Sequence, residues 1–224
     1  VTARNANRDL ASPRQRFDAR VQRRSAAVLQ QRVVEQEIRS LDAAMASIGH
    51  DGSVERAAAL VVGARRRFIL GAGKSFGYAC LLAADLGASL SNVTTIDGRI
   101  VQAIDVLTEV RSSDVLVVFS LRRYRRESIE VARQFAAAGG ALVVVTDAED
   151  APLSAVADAV IVVPTESASY SDSPTAVAAV AHVLATLTTA SAKGAQRRLG
   201  ERDRFSRSLG IYLDEADNPE SENP

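Results

Sequence analysis

The chain has 224 residues, enough for one α/β domain with a full core but tight for two. Apolar residues make up 47%, mostly Ala, Val and Leu with no Trp, which suits a core of small aliphatics, and a single Cys excludes both a disulfide framework and a thiolate metal cluster. Formal charge is zero but unevenly placed: the first 32 residues hold eight Arg against Asp9 and Asp18, while the last ten hold Glu215, Asp217, Glu220 and Glu222 with no cation.

Residues 1–12 carry no periodicity and read as a disordered lead-in; their arginines lack the apolar run of a signal peptide. From 13 to 48 there is no glycine and no further proline, and Val34, Ile38, Leu41, Met45 and Ile48 recur at spacings of four and three. This predicts a long amphipathic helix with a break near Ser25. The spacing suits either a coiled-coil seam or packing on the chain's own body. Gly49-His50-Asp51-Gly52-Ser53 ends that helix, and Ser53 is expected to cap a second one over 54–65.

Five strand-like runs follow, at 67–70, 92–96, 114–120, 141–146 and 159–163. The third and fourth are near-continuous Val and Leu, as in strands buried on both faces of a parallel sheet. Helical patterns at 76–86, 100–110 and 127–138, and a short turn opened by Pro152, lie between them, and each interval fits a βαβ crossover. Gly87 and Gly139-Gly140 are expected helix stops, and Cys80 is expected in the core. Ser173-Pro174 opens a helix with Val177, Val180, Ala181, Leu184 and Leu187 on one face, and a basic amphipathic segment runs from Gly194 to Leu213. No apolar run approaches the roughly 20 residues of a membrane span, so a cytosolic protein without a membrane partner is expected.

Two stretches carry candidate chemistry. The first is Gly71-Ala72-Gly73-Lys74-Ser75, where a strand meets a helix. A P-loop would need glycine where Phe68 stands, and a dinucleotide fingerprint would need one where Phe76 stands, although Asp97 follows the second strand where a ribose-binding acid would. A simpler phosphate site needs only the turn, the Ser75 hydroxyl and the helix N-terminus; a tight turn without ligand is the alternative. The second stretch is Ser120-Leu121-Arg122-Arg123-Tyr124-Arg125-Arg126-Glu127 after the third strand. Guanidinium groups hold phosphate or carboxylate bidentately, and in a parallel sheet this loop lies beside the glycine turn.

Together with Thr146-Asp147-Ala148-Glu149-Asp150-Ala151-Pro152-Leu153 and Ala157-Asp158, these stretches resemble the sugar isomerase (SIS) domain, most of all its form in MurR/RpiR-type transcriptional regulators, over about 12–213. The resemblance implies a five-stranded parallel sheet flanked by helices, a homodimer or tetramer, and binding of a phosphorylated sugar that alters DNA binding by an N-terminal helix-turn-helix domain. It makes Ser75 and Ser120 phosphate-site hydroxyls and matches Ser169, Ser171 and Ser173 to the serine-rich segment before the last long helix. Two departures stand out. Arg122, Arg123 and Arg125 replace the second Ser, the Gly and the Thr of a Ser-x-Ser-Gly-x-Thr loop, although Arg123-Tyr124 resembles an Arg-Tyr version found among the regulators. Residues 1–66 show one long helix rather than a helix-turn-helix, so DNA contact is expected only through a domain absent from this chain.

The expected architecture is a three-layer, doubly wound α/β domain of five parallel strands over 53–213, with an N-terminal helical arm over 1–52 and an acidic tail over 214–224. Gly71, Gly73, Lys74, Ser75, Ser120, Arg122, Arg123, Tyr124, Arg125, Ser169 and Ser171 form the expected ligand site, with Tyr124 either stacking on a sugar or packing beneath it. No cofactor or metal is expected. An isomerase needs a base, and only Glu127 is suitably placed; His50 falls in a turn and His182 is expected to be packed within its helix. A sensor is therefore preferred to a phosphosugar isomerase or to a ligand-free dimerisation module.

Overall fold

The structure is a computed structural model that describes residues 12–22 and 24–212. Nearly all of the expected lead-in, and the acidic tail, lie outside the described residues. In chain order the elements are α1 (Pro13–Arg20), α2 (Ala26–Asp51), α3 (Ser53–Gly63), β1 (Arg66–Gly71), α4 (Lys74–Ser89), β2 (Val93–Ile96), α5 (Ala103–Leu107), β3 (Asp114–Phe119), α6 (Arg126–Ala137), β4 (Ala141–Thr146), a 3-10 turn (Ser154–Val156), β5 (Ala159–Val162), α7 (Thr175–Ser191) and α8 (Ala195–Ser208).

The five strands form one parallel sheet in the order β2-β1-β3-β4-β5, with Gly71 opposite Phe119 and Phe119 opposite Val145 at the carboxyl ends. Successive side chains of a strand point to opposite faces, so each strand feeds two cores. Ile69, Val115, Val117, Phe119, Val143 and Val145 pack against α2, α3, α4 and α7. Phe68, Leu70, Leu116, Val118, Leu142 and Val144 pack against α5, α6 and Leu153. This is the expected three-layer arrangement. No single helix among the described residues is long and apolar enough to cross a membrane.

Local chemistry explains most boundaries. The break in the arm falls at Ser25, whose hydroxyl accepts from the Val28 amide at 3.4 Å and caps α2. The apolar seam of α2 divides: Ala44 and Ile48 are buried in the core, whereas Val34 and Ile38 are half exposed. Gly52, at φ 66°, joins α2 to α3. Ser53 makes no side-chain cap; its amide donates to Asp51 Oδ1 at 2.7 Å.

Five further expectations are corrected. The helix α4 runs through Gly87, because Leu82, Leu86 and Leu90 continue one buried stripe and that burial outweighs about 1 kcal/mol of glycine penalty. Cys80 lies on the outer face of α4 and is exposed, since the stripe takes Tyr78, Ala79 and Leu82 instead. The pattern at 100–110 yields only the short α5, because the Asp97 carboxylate takes the amides of Arg99, Ile100 and Val101 at 2.9 Å and holds that segment in a turn. His50 belongs to the last turn of α2, and His182 is exposed with its Nδ1 3.6 Å from Asp85.

Candidate functional site

The strand order reverses between β1 and β3: the chain proceeds outward to β2 on one side and to β4 and β5 on the other. Loops that leave the carboxyl ends of β1 and β3 therefore part in opposite directions and bound a crevice. Both sequence-predicted stretches are those loops.

On the β1 side the turn is fixed by sterics. A Cβ on Gly71 would lie 2.3 Å from the Ser75 carbonyl oxygen, so only glycine lets α4 begin so close to the strand. Gly73 has φ 62° and ψ −126°, a conformation that side chains rarely adopt. Lys74 and the half-buried Ser75 start α4, placing the positive end of its dipole at the crevice. The Lys74 ammonium donates to the Asp172 carbonyl, and its pKa is lowered by burial, against the opposing charges of Asp172 and Glu37.

On the β3 side, Ser120 is buried and its hydroxyl has no hydrogen-bond partner. An orphaned hydroxyl at a strand's carboxyl end is a group that a ligand would satisfy. The arginine loop then folds over Asp147. Its carboxylate accepts from the Arg122 amide at 3.2 Å and the Tyr124 hydroxyl at 2.9 Å, and it pairs with Arg122 Nε at 3.3 Å. Burial, and then the Asp147 charge, push the Tyr124 phenol up to about 12. Tyr124 is half-buried, with its hydroxyl held by Asp147.

The guanidinium of Arg125 lies against the glycine turn, with Nη2 2.9 Å from where a Gly73 Cβ would be. Arg123 is exposed, and Glu127, in the first turn of α6, pairs with no described residue.

The serine-rich segment closes the other side. Ser169 donates its amide to Ser167 Oγ at 3.0 Å, Ser171 is half-buried, and the Ser173 and Thr175 hydroxyls both donate to Glu37 of α2. The arm reaches the same place: Arg16 of α1 pairs with Asp172, and Arg20 donates to the carbonyls of Ser167 at 2.8 Å and Ser169 at 3.2 Å. Tyr78 of α4 lies behind this cluster, its pKa raised to about 12 by burial and by Asp172 and Glu37.

A cleft of 660 Å³ opens beside the crevice, between α1 and the loops after β3, β4 and β5. Of the predicted site residues only Arg122 and Arg123 line it. Gly71, Gly73, Lys74, Ser75, Ser120, Tyr124, Arg125, Ser169 and Ser171 do not line it. Sequence reasoning missed Arg16, Arg20, Glu37 and Asp172. Glu37 alone left a signal, as a charge set on the seam of Val34, Ile38 and Leu41. Among the described residues no group of three or more His, Cys, Asp and Glu side chains converges on a metal-sized site.

The SIS domain family model matches residues 60–192. Among solved structures, the SIS domain of an RpiR transcription factor from Sphaerobacter thermophilus aligns over 79% of this chain and 98% of its own, with 24% identity and a TM-score of 0.73. The Vibrio vulnificus NanR protein complexed with ManNAc-6P aligns over 82% of this chain and 73% of its own, with 17% identity and a TM-score of 0.65. A Methanococcus jannaschii protein whose structure infers a 3-hexulose-6-phosphate isomerase aligns over 84% of this chain and 94% of its own, with 15% identity and a TM-score of 0.54. No curated protein matches. At these identities the likeness to solved structures establishes the fold.

Proposed function

The chain belongs to the SIS domain family, and from that premise we propose that it is the effector-sensing, self-associating domain of a transcriptional regulator of carbohydrate metabolism, binding a phosphorylated sugar or a related anionic sugar derivative. One observation carries this reading. At the point where strand order reverses, a glycine turn with a helix N-terminus faces a buried Ser120 hydroxyl that lacks any partner. Dipole, hydroxyls and nearby guanidinium groups together favour a phosphate or carboxylate. The ManNAc-6P held by NanR supports the same class of ligand.

Thermal unfolding against a panel of sugar phosphates and sugar acids tests it, since a ligand that binds only the native state raises the midpoint through mass action. A rise with one anionic sugar, lost in Ser75→Ala and Ser120→Ala, is the expected result. No rise from any of them would sink the reading. Turnover of a sugar phosphate that disappears in Glu127→Gln would replace the sensor with an isomerase. Self-association rests on Val34 and Ile38, which stand half exposed on α2. Light scattering on Ile38→Glu should give a smaller species than the parent chain.

A further inference from the structure

One edge of the sheet lies open in a cleft. β5 is the outermost strand and pairs with β4 alone, Val144 opposite Val160 and Thr146 opposite Val162. The Val163 amide donates to the Thr146 carbonyl at 2.8 Å, so Ala159, Ile161 and Val163 turn their backbone groups toward β4. Backbone groups of successive residues alternate in direction along a parallel strand, and those of Val160 and Val162 therefore face outward. No described group bonds to them. Such a row of free amides and carbonyls is a template for another strand.

The cleft of 660 Å³ is built around this edge. Val160 and Val162 line it from one face of the sheet. Ala43 and Ser47 of α2, with Ser53 and Arg56 of α3, line it from the other face, where Ala159 and Ile161 are buried. A cleft with walls on both faces has the strand edge as its floor. Pro164, which has no amide to offer, ends the row.

The walls select the charge of an occupant. Most arginines there are engaged: Arg16 with Asp172, Arg20 with the Ser167 and Ser169 carbonyls, Arg56 with the Asp51 carbonyl and Arg122 with Asp147. The carboxylates of Glu149 and Glu166 also line the cleft without a described partner, and they outnumber the exposed Arg123. A second copy of this chain would set two more such carboxylates against the first pair. A basic segment would neutralise them.

We propose that β5 takes up an extended basic peptide as an added strand, with main-chain hydrogen bonds to Val160 and Val162 and cationic side chains against Glu149 and Glu166. Main-chain pairing supplies affinity, and the two acids supply the preference for lysine or arginine. The edge lies on the far side of β4 from the crevice between β1 and β3, and the inference does not depend on the ligand read there.

Fluorescence anisotropy on the full chain tests it, with a labelled hexapeptide of alternating arginine and valine as the probe. Saturable binding is expected, and the same peptide with glutamate in place of arginine should bind about tenfold more weakly. Two further probes carry N-methyl groups on alternate amides, one on its arginines and the other on its valines. Only one set of amides faces β5, so one methylated peptide should keep the parent affinity and the other should lose about tenfold. Val162→Pro removes an outward amide of β5 and should weaken the parent peptide to a similar extent, while Glu149→Gln combined with Glu166→Gln should flatten its salt dependence. Equal affinity of the two methylated peptides overturns strand addition, and so does absence of binding by the parent peptide. A dimer seen by light scattering that Val162→Pro dissociates would assign the edge to a second copy and overturn the proposal. If Val162→Pro does not fold, the methylated peptides decide alone, since they leave the protein unchanged.

Discussion

The Asp147 side chain is 3% exposed at the carboxyl end of β4, and a carboxylate so placed must be paired to remain there. Arg122 and Tyr124 supply the partners, which removes them from the list of free ligand contacts and leaves the exposed Arg123 and Arg125 of that loop. Tyr124→Phe should therefore lower stability by about 1–2 kcal/mol, read as a shifted urea midpoint with an unchanged slope. At the opposite end of the sheet Asp114 is 1% exposed. Burial alone would raise its pKa, but hydrogen bonds from Arg66 at 2.7 and 3.1 Å and from the Arg111 amide at 2.8 Å, with both positive charges, bring it below the ordinary 3.8. A carboxylate with a depressed folded pKa stabilises fully above its unfolded value and loses that contribution as pH falls through the folded one. Asp114→Asn should thus be less stable than the parent at about pH 7, and the two melting temperatures should converge below about pH 4. A constant gap across that range would sink the assignment.

At the scale of elements, the glycine turn separates two kinds of constraint. At Gly71 the obstacle is the Ser75 backbone carbonyl, which cannot step aside, so Gly71→Ala should cost about 3 kcal/mol by denaturant unfolding. At Gly73 the near neighbour is the movable Arg125 guanidinium, and the positive φ carries the penalty, so Gly73→Ala should cost about 2 kcal/mol and displace the arginine loop. Such turns were legible in the sequence because their apolar runs and glycines act locally, and the strands at 114–119 and 141–146 were legible because both faces are buried. What was illegible is tertiary. Arg67 sits in an apolar strand run yet is buried, because its guanidinium takes the last-turn carbonyls of α3 at Val61 and Val62 and the Ser91 carbonyl. No spacing rule announces that partner. The course of α4 through Gly87, the exposure of Cys80 and the reach of Arg16 to Asp172 likewise depend on surfaces far away in the chain.

At the scale of the molecule, the arm is two things joined at Ser25. The last turns of α2 belong to the core through Ala44 and Ile48, with Met45 packed against it, and Glu37 and Ser40 tie the same helix to the serine-rich segment and the start of α7. The helix α1 touches that segment only through Arg16 and Arg20 among its described polar contacts. Truncation before residue 25 removes Arg16 and should lower the unfolding midpoint only modestly, since the Asp172 side chain left behind is 32% exposed and can be hydrated. Truncation before residue 53 strips Ile48 and Met45 from the sheet-facing core and should cost about 4 kcal/mol, much of a domain's usual margin. Equal stability of the longer truncation and the full chain would show that α2 is a detachable linker. The opposite result makes α2 a structural part of the domain and α1 a peripheral segment.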